Sequence, residues 1–253
     1  MIHLKSSREI EKIRASCRIA AEAMAAVLDR VAAGVNTLEL DQVAEDFIRN
    51  REAKASAKGY KGYPGSICLS INEEVVHGIP GERTLEAGDI VAIDIAVKKD
   101  GYHGDMNVTT GVGEISAKAG RLIDATRDAM NLGLECCVLG NRLGDVGNAI
   151  QRFVEAEGFS VVREYCGHGL GRSFHEEPQL LHYGDPGTGR RLQAGMVFTV
   201  EPMVNEGGAD TRLLDDKWTA VTVDGSLSAQ FEHTVAVTKN GADVLSRFED
   251  LPY

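Results

Sequence analysis

Five residues of this chain have side chains that bind divalent metal ions, and each lies in a short segment typical of a strand or of a loop beside one. They are Asp94, Asp105, His168, Glu201 and Glu232. Four carboxylates and one imidazole balance two divalent cations almost charge for charge. The set therefore predicts a hydrolase in which two bound metal ions activate a water molecule.

Two of these residues, Asp94 and Asp105, lie in a predicted β-hairpin whose turn decides whether they face the same side. The strands DIVAIDIAV (89–97) and YHGDMNVTTGVG (102–113) flank the turn KKDG. If Asp100-Gly101 is a two-residue loop, Asp94 pairs with Asn107, and Asp105 lies one diagonal away on the same face. A three-residue loop would place the two aspartates on opposite faces. A shared metal site therefore requires the two-residue turn. The alternative is a pair of solvated carboxylates on an exposed edge hairpin.

The two glutamates and the histidine occupy equally unusual positions. Glu201 interrupts the apolar run 196–204, and Glu232 interrupts the apolar run 231–237. Acidic side chains are rarely buried without compensating charge, so this repeated placement supports a cation site. His168 lies in CGHGLG, where the glycines leave room for an imidazole and for close approach of a ligand. A histidine in a glycine loop can equally have a purely structural role.

Other catalytic motifs are missing from the sequence. It contains no HExxH, no GxSxG and no P-loop lysine motif. The segment CGHGLG differs from a GxGxxG dinucleotide loop because its third glycine comes one place early, so we reject a nucleotide fold. Metal-activated water remains. An oxygen-rich set with one imidazole suits Mn, Fe(II) or Co better than a structural zinc held by thiolates, and the identity of the metal stays open.

Length and composition indicate one domain of a soluble protein. The 253 residues are 43% hydrophobic and 26% charged, without an apolar run that could span a membrane. The charged N-terminal segment does not resemble a secretory signal, so we expect a cytoplasmic location. Five cysteines without CxxC spacing indicate reduced thiols in a cytosol.

The charge distribution argues against a nucleic-acid partner. The net charge is −11, whereas phosphate binding needs clustered lysine and arginine. Residues 1–61 nevertheless carry 11 basic and 9 acidic side chains, a net charge of +2. This part could face an anionic surface such as a ribosome, although a solvated helix face explains it more simply.

Helices followed by strands occur twice along the chain. Ser6 and Glu9 have capping-box spacing at the start of a helix that we expect to end at Gly34, and Thr37 begins a second helix. A helix from about Ala117 and another near 146–156 repeat this order. The predicted strands are 67–71, the hairpin 89–113, 159–166, 196–204 and a second hairpin, 218–239, that turns at Asp224-Gly225. We expect one domain, 1–253, with halves of about 1–115 and 116–253 that face each other across a shared sheet.

Five separate segments resemble one known family. They are SINEEVVHGIP (70–80), DIAVKKDGYHGD (94–105), CGHGLGRSFHEEP (166–178), FTVEPM (198–203) and SLSAQFEHT (226–234). In this order they are similar to type I methionine aminopeptidases, and the chain resembles the short bacterial form, without a zinc-binding extension or the helical insertion of type II enzymes. The resemblance implies an α+β pita-bread fold with two pseudo-symmetric αβ halves around a central antiparallel sheet.

The same resemblance implies roles for individual residues. Two divalent ions (Co, Mn, Fe(II) or Zn) would be held with Asp94 chelating one, Asp105 and Glu232 bridging both, and His168 and Glu201 completing the shell. Glu201 would also act as general base, while His77 and His175 would contact the substrate. The residues that resemble the family's methionine pocket are Tyr60, Tyr63, Cys68, Phe174 and Trp218. Each histidine or pocket residue could instead be an ordinary loop or core residue.

The activity implied by the resemblance is removal of the initiator methionine from nascent polypeptides with a small second residue. We expect a monomer that binds nascent N-termini, with no specific nucleic acid and no membrane as partner. One alternative is an Xaa-Pro dipeptidase of the same fold, although such enzymes usually carry a further N-terminal domain. The other alternative is a non-catalytic relative that binds a peptide or RNA. Turnover of methionyl peptides would separate the three.

Overall fold

The computed structural model describes residues 2–248. The helices in this range are α1 (Ser7–Leu28), α2 (Thr37–Asn50), α3 (Ala117–Glu135) and α4 (Leu143–Ala156), with a short 3-10 helix at Tyr60–Gly62. The first strands are β1 (Lys54–Ala55), β2 (Cys68–Ile71), β3 (Glu74–Val76), β4 (Ile90–Lys99) and β5 (Tyr102–Gly111). After α4 come β6 (Ser160–Val161), β7 (Gly167–Gly169), β8 (Glu176–Leu180), β9 (Val197–Val200) and β10 (Met203–Asn205). The last strands are β11 (Thr211–Leu213), β12 (Ala220–Thr222), β13 (Ser228–Gln230), β14 (Glu232–Thr238) and β15 (Gly241–Val244).

A nine-stranded antiparallel sheet forms the centre of the molecule. Its path is β1-β4-β5-β14-β9-β7-β8, with β2 paired to β4 and β15 paired to β14. Two three-stranded sheets, β13-β10-β6 and β11-β12-β3, complete the strand arrangement. Strands from both halves of the sequence thus meet at the β5–β14 pair, which brings Asn107 opposite Glu232. The expected α+β class and central antiparallel sheet are confirmed.

Helix α1 begins at the predicted capping box. The Ser6 hydroxyl accepts from the Glu9 amide at 3.4 Å, and the Glu9 carboxylate accepts from the Ser6 amide at 3.0 Å. The helix ends at Leu28 and not at Gly34, because the following residues bond elsewhere: the Gly34 amide donates to the Leu85 carbonyl at 2.9 Å. Tertiary contacts with a distant loop therefore shorten the predicted helix.

Close packing holds α1 against the β4–β5 hairpin. Gly104 leaves space at the contact, since a Cβ there would lie 2.7 Å from the Cys17 sulfur. The Ser16 hydroxyl donates to the Tyr102 carbonyl at 2.9 Å. Ile13, Cys17 and Met24 are fully buried in this helix. Helix α1 therefore packs against one face of the hairpin.

The hairpin has the register that a shared metal site requires. Asp94 pairs with Asn107, and Ala96 pairs with Asp105. The turn residues Asp100 and Gly101 both have positive φ, 48° and 83°, as a two-residue type I′ loop demands. The prediction for this hairpin is confirmed, and the three-residue alternative is wrong.

Several other strand predictions are wrong in detail. The segment 159–166 forms only the two-residue strand β6, and 196–204 is split into β9 and β10 around Glu201-Pro202. The segment 218–239 is not a hairpin, because β12 pairs with β3 and β11, β13 pairs with β10, and β14 joins the central sheet. Proline cannot donate a ladder hydrogen bond, which explains the break after Glu201. The other differences arise because these strands pair with segments that are distant in the sequence.

Three further expectations concern membrane-spanning helices, the repeated order of helices and strands, and the division into halves. No helix among residues 2–248 is long and apolar enough to cross a membrane. The order of two helices followed by strands does occur twice, as α1–α2 and α3–α4 show. The division into halves near residue 115 within a single domain stays a prediction.

Candidate metal centre and active site

A single cavity of about 610 Å³ collects the candidate functional residues. Its lining includes all twelve predicted site residues: Tyr60, Tyr63, Cys68, His77, Asp94, Asp105, His168, Phe174, His175, Glu201, Trp218 and Glu232. The first of these in sequence is 172 positions from the last. The fold therefore brings every candidate to one place, which was the central expectation from the sequence.

The candidate metal ligands converge at the floor of this cavity. One ligand atom each from Asp105, His168 and Glu232 lies within 4.8 Å of the others. The His168 Nε2 atom is 3.7 Å from Asp105 Oδ2 and 3.8 Å from Glu201 Oε1. Asp94 reaches the same cavity from β4, through the hairpin register described above. Strands β4, β5, β7 and β14, with the end of β9, thus each position one candidate ligand.

The carboxylates cannot all be ionised in this arrangement without added positive charge. Burial raises the pKa of Asp94 to about 6 and that of Glu201 to about 8. The pKa values of Asp105 and Glu232 lie well above their usual range, first through burial and then through repulsion by the neighbouring carboxylates. Asp105 Oδ1 and Glu232 Oε1 are buried without a hydrogen-bond partner. Buried acceptors of this kind are stabilised by cations, so divalent metal ions fit this set of oxygens.

His168 presents a lone pair to the same point. Its Nδ1 lies 3.0 Å from the Gly169 carbonyl oxygen, which can only accept, so Nδ1 carries the proton. Nε2 is then unprotonated and faces Asp105 and Glu201. Burial lowers the pKa of His168 to about 4, so the imidazole is neutral near pH 7. Neutral imidazole with its second nitrogen bonded to a carbonyl is the usual form of a metal ligand.

Glu201 is positioned by side chains, because it follows the last residue of β9. The Thr199 hydroxyl donates to Glu201 Oε1 at 2.5 Å, and the Gln230 side-chain Nε2 donates to Oε2 at 3.2 Å. The Glu201 amide donates to Nε2 of the buried His182 at 3.1 Å. Both carboxylate oxygens and the backbone of Glu201 are therefore fixed.

The sequence analysis missed these supporting residues, although a signal was present. Thr199 precedes Glu201 by two positions, Gln230 precedes Glu232 by two, and Asn107 follows Asp105 by two. Side chains two apart in a strand point to the same face. The Asn107 side-chain Nδ2 donates to the Gln230 side-chain Oε1 at 2.9 Å, so two of these residues also bond to each other. A polar residue two positions from Asp105, Glu201 or Glu232 identifies Asn107, Thr199 and Gln230, whereas no such signal marks His182.

His77 is held at the wall of the cavity by an unusual backbone. Its φ of 61° lies in the left-handed region, which non-glycine residues rarely adopt. The next residue, Gly78, packs directly against β2: its amide donates to the Ser70 hydroxyl at 3.2 Å, and its carbonyl accepts from the Leu69 amide at 2.9 Å. Burial lowers the pKa of His77, so its ring is neutral. Strained backbone of this kind is concentrated at functional sites.

His175 lies at the mouth of the cavity among aromatic rings. Its ring centroid is 4.1 Å from that of His168, and it stacks on Tyr60 at 5.1 Å. Phe174 contacts Tyr60 edge to face at 5.2 Å. Burial, and then the neighbouring His168 and Lys61, lower the pKa of His175 to about 3. After His168 and His77, a third neutral imidazole therefore lies beside the candidate metal ligands.

The inner wall beside these groups is apolar. Tyr63 and Cys68 are buried, and Trp218 packs on the Tyr63 ring at 5.1 Å, edge to face. The Tyr63 hydroxyl donates to the Gly78 carbonyl at 2.8 Å, which fixes the outer end of its ring. Cys68 lies directly across the ladder from Asp94. A thioether side chain suits such a wall, because sulfur interacts well with aromatic rings.

The chain matches known proteins over almost its whole length. The model of metallopeptidase family M24 matches residues 11–239. The chain therefore belongs to metallopeptidase family M24, whose members are metal-dependent hydrolases of peptides. Methionine aminopeptidase 1 of Bacillus subtilis (strain 168) is 49% identical over 247 residues, which are 98% of this chain and 100% of the relative. Within the family, the chain groups with the methionine aminopeptidases.

Solved structures agree with this placement. The crystal structure of methionine aminopeptidase from Rickettsia prowazekii has a TM-score of 0.96 at 46% identity, covering 98% of this chain and 100% of that one. The prolidase from Pyrococcus furiosus has a TM-score of 0.79 at 22% identity and covers 97% of this chain and 66% of that one, so it shares the fold alone. The expected pita-bread fold is confirmed. Neither the Xaa-Pro dipeptidase nor the non-catalytic alternative is favoured.

Proposed function

We propose that this chain hydrolyses the first peptide bond of polypeptides that begin with methionine, acting on nascent chains with a small second residue. The observation that carries the proposal is one cavity in which four carboxylates and an imidazole adjoin an apolar aromatic wall. The first group of residues supplies hydrolytic chemistry, and the second fits a methionine side chain. Action on nascent chains implies a cytoplasmic enzyme, which we expect to be a monomer.

Asp94, Asp105, His168, Glu201 and Glu232 would hold the metal ions. Their four negative charges match two divalent cations, and Mn, Co, Fe(II) and Zn all suit a set of oxygens with one imidazole. When bound, such ions lower the pKa of a water molecule toward neutrality and polarise a carbonyl group. The unpartnered oxygens of Asp105 and Glu232 support this assignment, because each would offer a free lone pair to a cation.

Glu201 is the proton carrier in this proposal. Its Oε1 faces His168 Nε2 at 3.8 Å, whereas Oε2 accepts only the longer bond from Gln230, at 3.2 Å. We assign Oε2 as the atom that takes a proton from the attacking water and passes it to the leaving amine. A carboxylate fixed at three points is suited to this role because its position changes little during proton transfer.

His77 and His175 would bind the scissile amide. Both are neutral, so each has one N–H donor for the substrate carbonyl oxygen or amide. Donors that are already in place where negative charge develops stabilise the tetrahedral intermediate. The two residues approach from different sides, since His77 lies beside Trp218 and His175 beside Tyr60.

The free amine of the substrate explains exopeptidase action. An N-terminal amine has a pKa of about 8 and, when neutral, has a lone pair that metal ions held at this site would accept. A methionine side chain placed against Tyr63, Cys68 and Trp218 leaves that amine beside the carboxylates. Internal methionines have no free amine and would not be cleaved.

The test compares three substrates with protein stripped of metal and reloaded with Mn, Co or Fe(II). We expect release of methionine from Met-Gly-Met, no cleavage of N-acetylated Met-Gly-Met, and negligible cleavage of Xaa-Pro dipeptides. Preference for Xaa-Pro dipeptides would establish the dipeptidase alternative. No turnover with any of these metals would refute the proposed function.

A further inference from the structure

Lys5 lies far from every candidate site residue in the sequence. Its buried ammonium nevertheless lies beside the segment 173–176, which contains His175. Its side chain is 1% exposed, and Nζ donates to Glu176 Oε2 at 2.6 Å. Burial of a lysine is unfavourable unless it is paired, so this ion pair needs a structural or functional reason. Glu176 immediately follows His175 and lines the same cavity.

Glu176 uses its other oxygen to hold the loop that precedes it. Oε1 accepts from the Ser173 amide at 3.0 Å. The carboxylate therefore spans the segment 173–176, which contains Phe174 and His175. Hydrogen bonding to Lys5 helps to keep the pKa of Glu176 below its usual value despite burial, so the acceptor is ionised.

Both ends of this link are anchored to rigid parts of the fold. The Lys5 amide donates to the Gly195 carbonyl at 2.7 Å, and the capping box of α1 begins at the next residue. Glu176 begins β8 and pairs with Gly169, next to His168. The Lys5–Glu176 contact thus ties the start of α1 to the strand pair that carries a metal ligand.

The loop is packed tightly around this contact. A Cβ on Gly171 would lie 2.6 Å from Lys5 Cε and 2.9 Å from Glu176 Oε1. The Gly171 carbonyl accepts from the His103 amide at 2.8 Å, and the Phe174 ring stacks on the His103 ring at 5.5 Å. The loop is therefore seated between Lys5 on one side and β5 on the other.

We propose that Lys5 is a positioning residue for His175: its ammonium holds the Glu176 carboxylate, which fixes the loop that presents the His175 imidazole at the mouth of the cavity. The inference rests on the proposed function, because it assigns Lys5 a role in the same reaction. Lys5 itself does not touch the substrate. It determines where the ring of His175 lies relative to His168.

The first test replaces the ammonium with a side chain of similar length. Lys5→Met should lower kcat roughly tenfold, since small displacements of a binding group slow the chemical step, and should change KM less than twofold. Arg14→Met is the matched control, because Arg14 pairs with Asp243 at 2.7 Å and ties the same helix to another part of the protein. The control should keep wild-type kinetics.

The second test asks whether the effect passes through His175. In a His175→Ala background, Lys5→Met should have no further effect on kcat, because the ring that Lys5 positions is gone. An equal loss in both backgrounds would show a general structural role and overturn the proposal. Wild-type kinetics of Lys5→Met would overturn it as well.

A third test measures the environment of the His175 ring without turnover. In zinc-loaded protein, the ring ¹⁵N and ¹H resonances of His175, assigned by comparison with His175→Ala, should shift in Lys5→Met and stay unchanged in Arg14→Met. Unchanged His175 resonances would contradict the proposal. Should Lys5→Met fail to fold, Glu176→Gln tests the same link, since one remaining acceptor oxygen cannot serve both Lys5 and Ser173. An inactive wild-type protein would refute the proposed function, whereas an active one with an unaffected variant would refute only this link.

Discussion

The carboxylates of the cavity are held by two regions of different construction. Asp94 and Asp105 lie within β4 and β5, which pair without interruption from Ile90↔Gly111 to Lys99↔Tyr102. Glu201 instead follows the end of β9, where Pro202 breaks the ladder, and three polar side chains support it. Backbone hydrogen bonds orient the aspartates, whereas side-chain hydrogen bonds orient this glutamate.

This difference indicates different roles for the hairpin aspartates and for Glu201. A carboxylate on a continuous ladder is held rigidly, which suits a residue that only has to bind a cation. A carboxylate at a strand end has neighbours that donate to each oxygen separately, which suits a residue that also transfers a proton. Substitutions in the two regions should therefore have different kinetic signatures.

The largest effect is expected for Glu201→Ala. It should lower kcat/KM for Met-Gly-Met by about 1,000-fold or more, because the proton carrier is lost. The fold should remain, since burial of this acid is unfavourable, and circular dichroism would check it. Glu206→Ala serves as control, as the Glu206 carboxylate pairs with Lys118 at 2.5 Å outside the cavity lining. Near-wild-type kinetics of Glu201→Ala would remove it from the mechanism.

Replacement of His77 should have the next largest effect. His77→Ala should reduce kcat about 100-fold, because one donor to the developing negative charge is lost. His77→Asn keeps an N–H donor and tolerates the left-handed backbone, so it should retain more activity. Equal activity of the two variants would show that hydrogen bonding by residue 77 does not contribute.

Metal binding tests one candidate ligand from the hairpin and one from β7. His168→Ala should weaken binding of Mn or Zn by at least about tenfold, measured by calorimetry on metal-free protein. Asp94→Ala in the hairpin should do the same, because it also removes a candidate ligand. Unchanged affinity and stoichiometry in either variant would contradict that ligand assignment.

A smaller effect is expected from the support of Glu201. Thr199→Val removes the 2.5 Å hydrogen bond to Glu201 Oε1 and should lower kcat roughly tenfold with little change in metal content. Thr238→Val is the control, because the Thr238 hydroxyl bonds to neighbouring backbone outside the cavity lining: it donates to the Gly241 carbonyl at 2.8 Å and accepts from the Asn240 amide at 3.1 Å. An equal loss in both variants would show that the strand-end glutamate does not depend on this contact.

The smallest expected effect is the pH dependence of stability in metal-free protein. Burial raises the pKa of Glu201 to about 8, whereas a glutamate in the unfolded chain ionises near 4.5. Stability should therefore fall as pH rises from 7.5 to 8.5, because only the folded state holds the proton in this window. Histidines in the unfolded chain have a pKa of about 6.5, so above about pH 7.5 they are largely neutral in both states and contribute little to the trend.

Thermal unfolding between pH 7.5 and 8.5 would measure this trend. A decrease of a few degrees is expected, since about 1 kcal/mol shifts the midpoint by roughly 2–4 °C for a chain of this size. Added zinc should flatten the dependence, and Glu201→Gln should reduce its slope. A midpoint that rises with pH in metal-free protein would show that the carboxyl is not destabilised by burial.

Much of the first half was predictable because its geometry is local. The Asp100-Gly101 turn settles the pairing of ten residues on each side, so the placement of Asp94 and Asp105 on one face follows from the turn type. The capping box of α1 was equally predictable, as it depends on Ser6 and Glu9 alone. Such short-range interactions depend only on residues that are neighbours in the sequence.

The second half was predicted less well because its strands pair over long distances. The segment 218–239 has the alternation of a hairpin, yet β12, β13 and β14 pair with strands from other parts of the chain. The strand β8 was not predicted at all, although it begins with Glu176. Alternation shows that a segment can join a sheet but does not say which partner it will have.

The amino-acid sequence alone determined which residue types carry the chemistry. It also determined the register of the β4–β5 hairpin, which bears two of these residues. Only the tertiary structure decided that Thr199, Gln230 and His182 hold Glu201 in place. It also decided that Lys5 meets Glu176 across 171 positions. Turns and caps depend on neighbours in the chain, whereas a buried ion pair or a shared cavity exists only after the sheet has brought distant segments together.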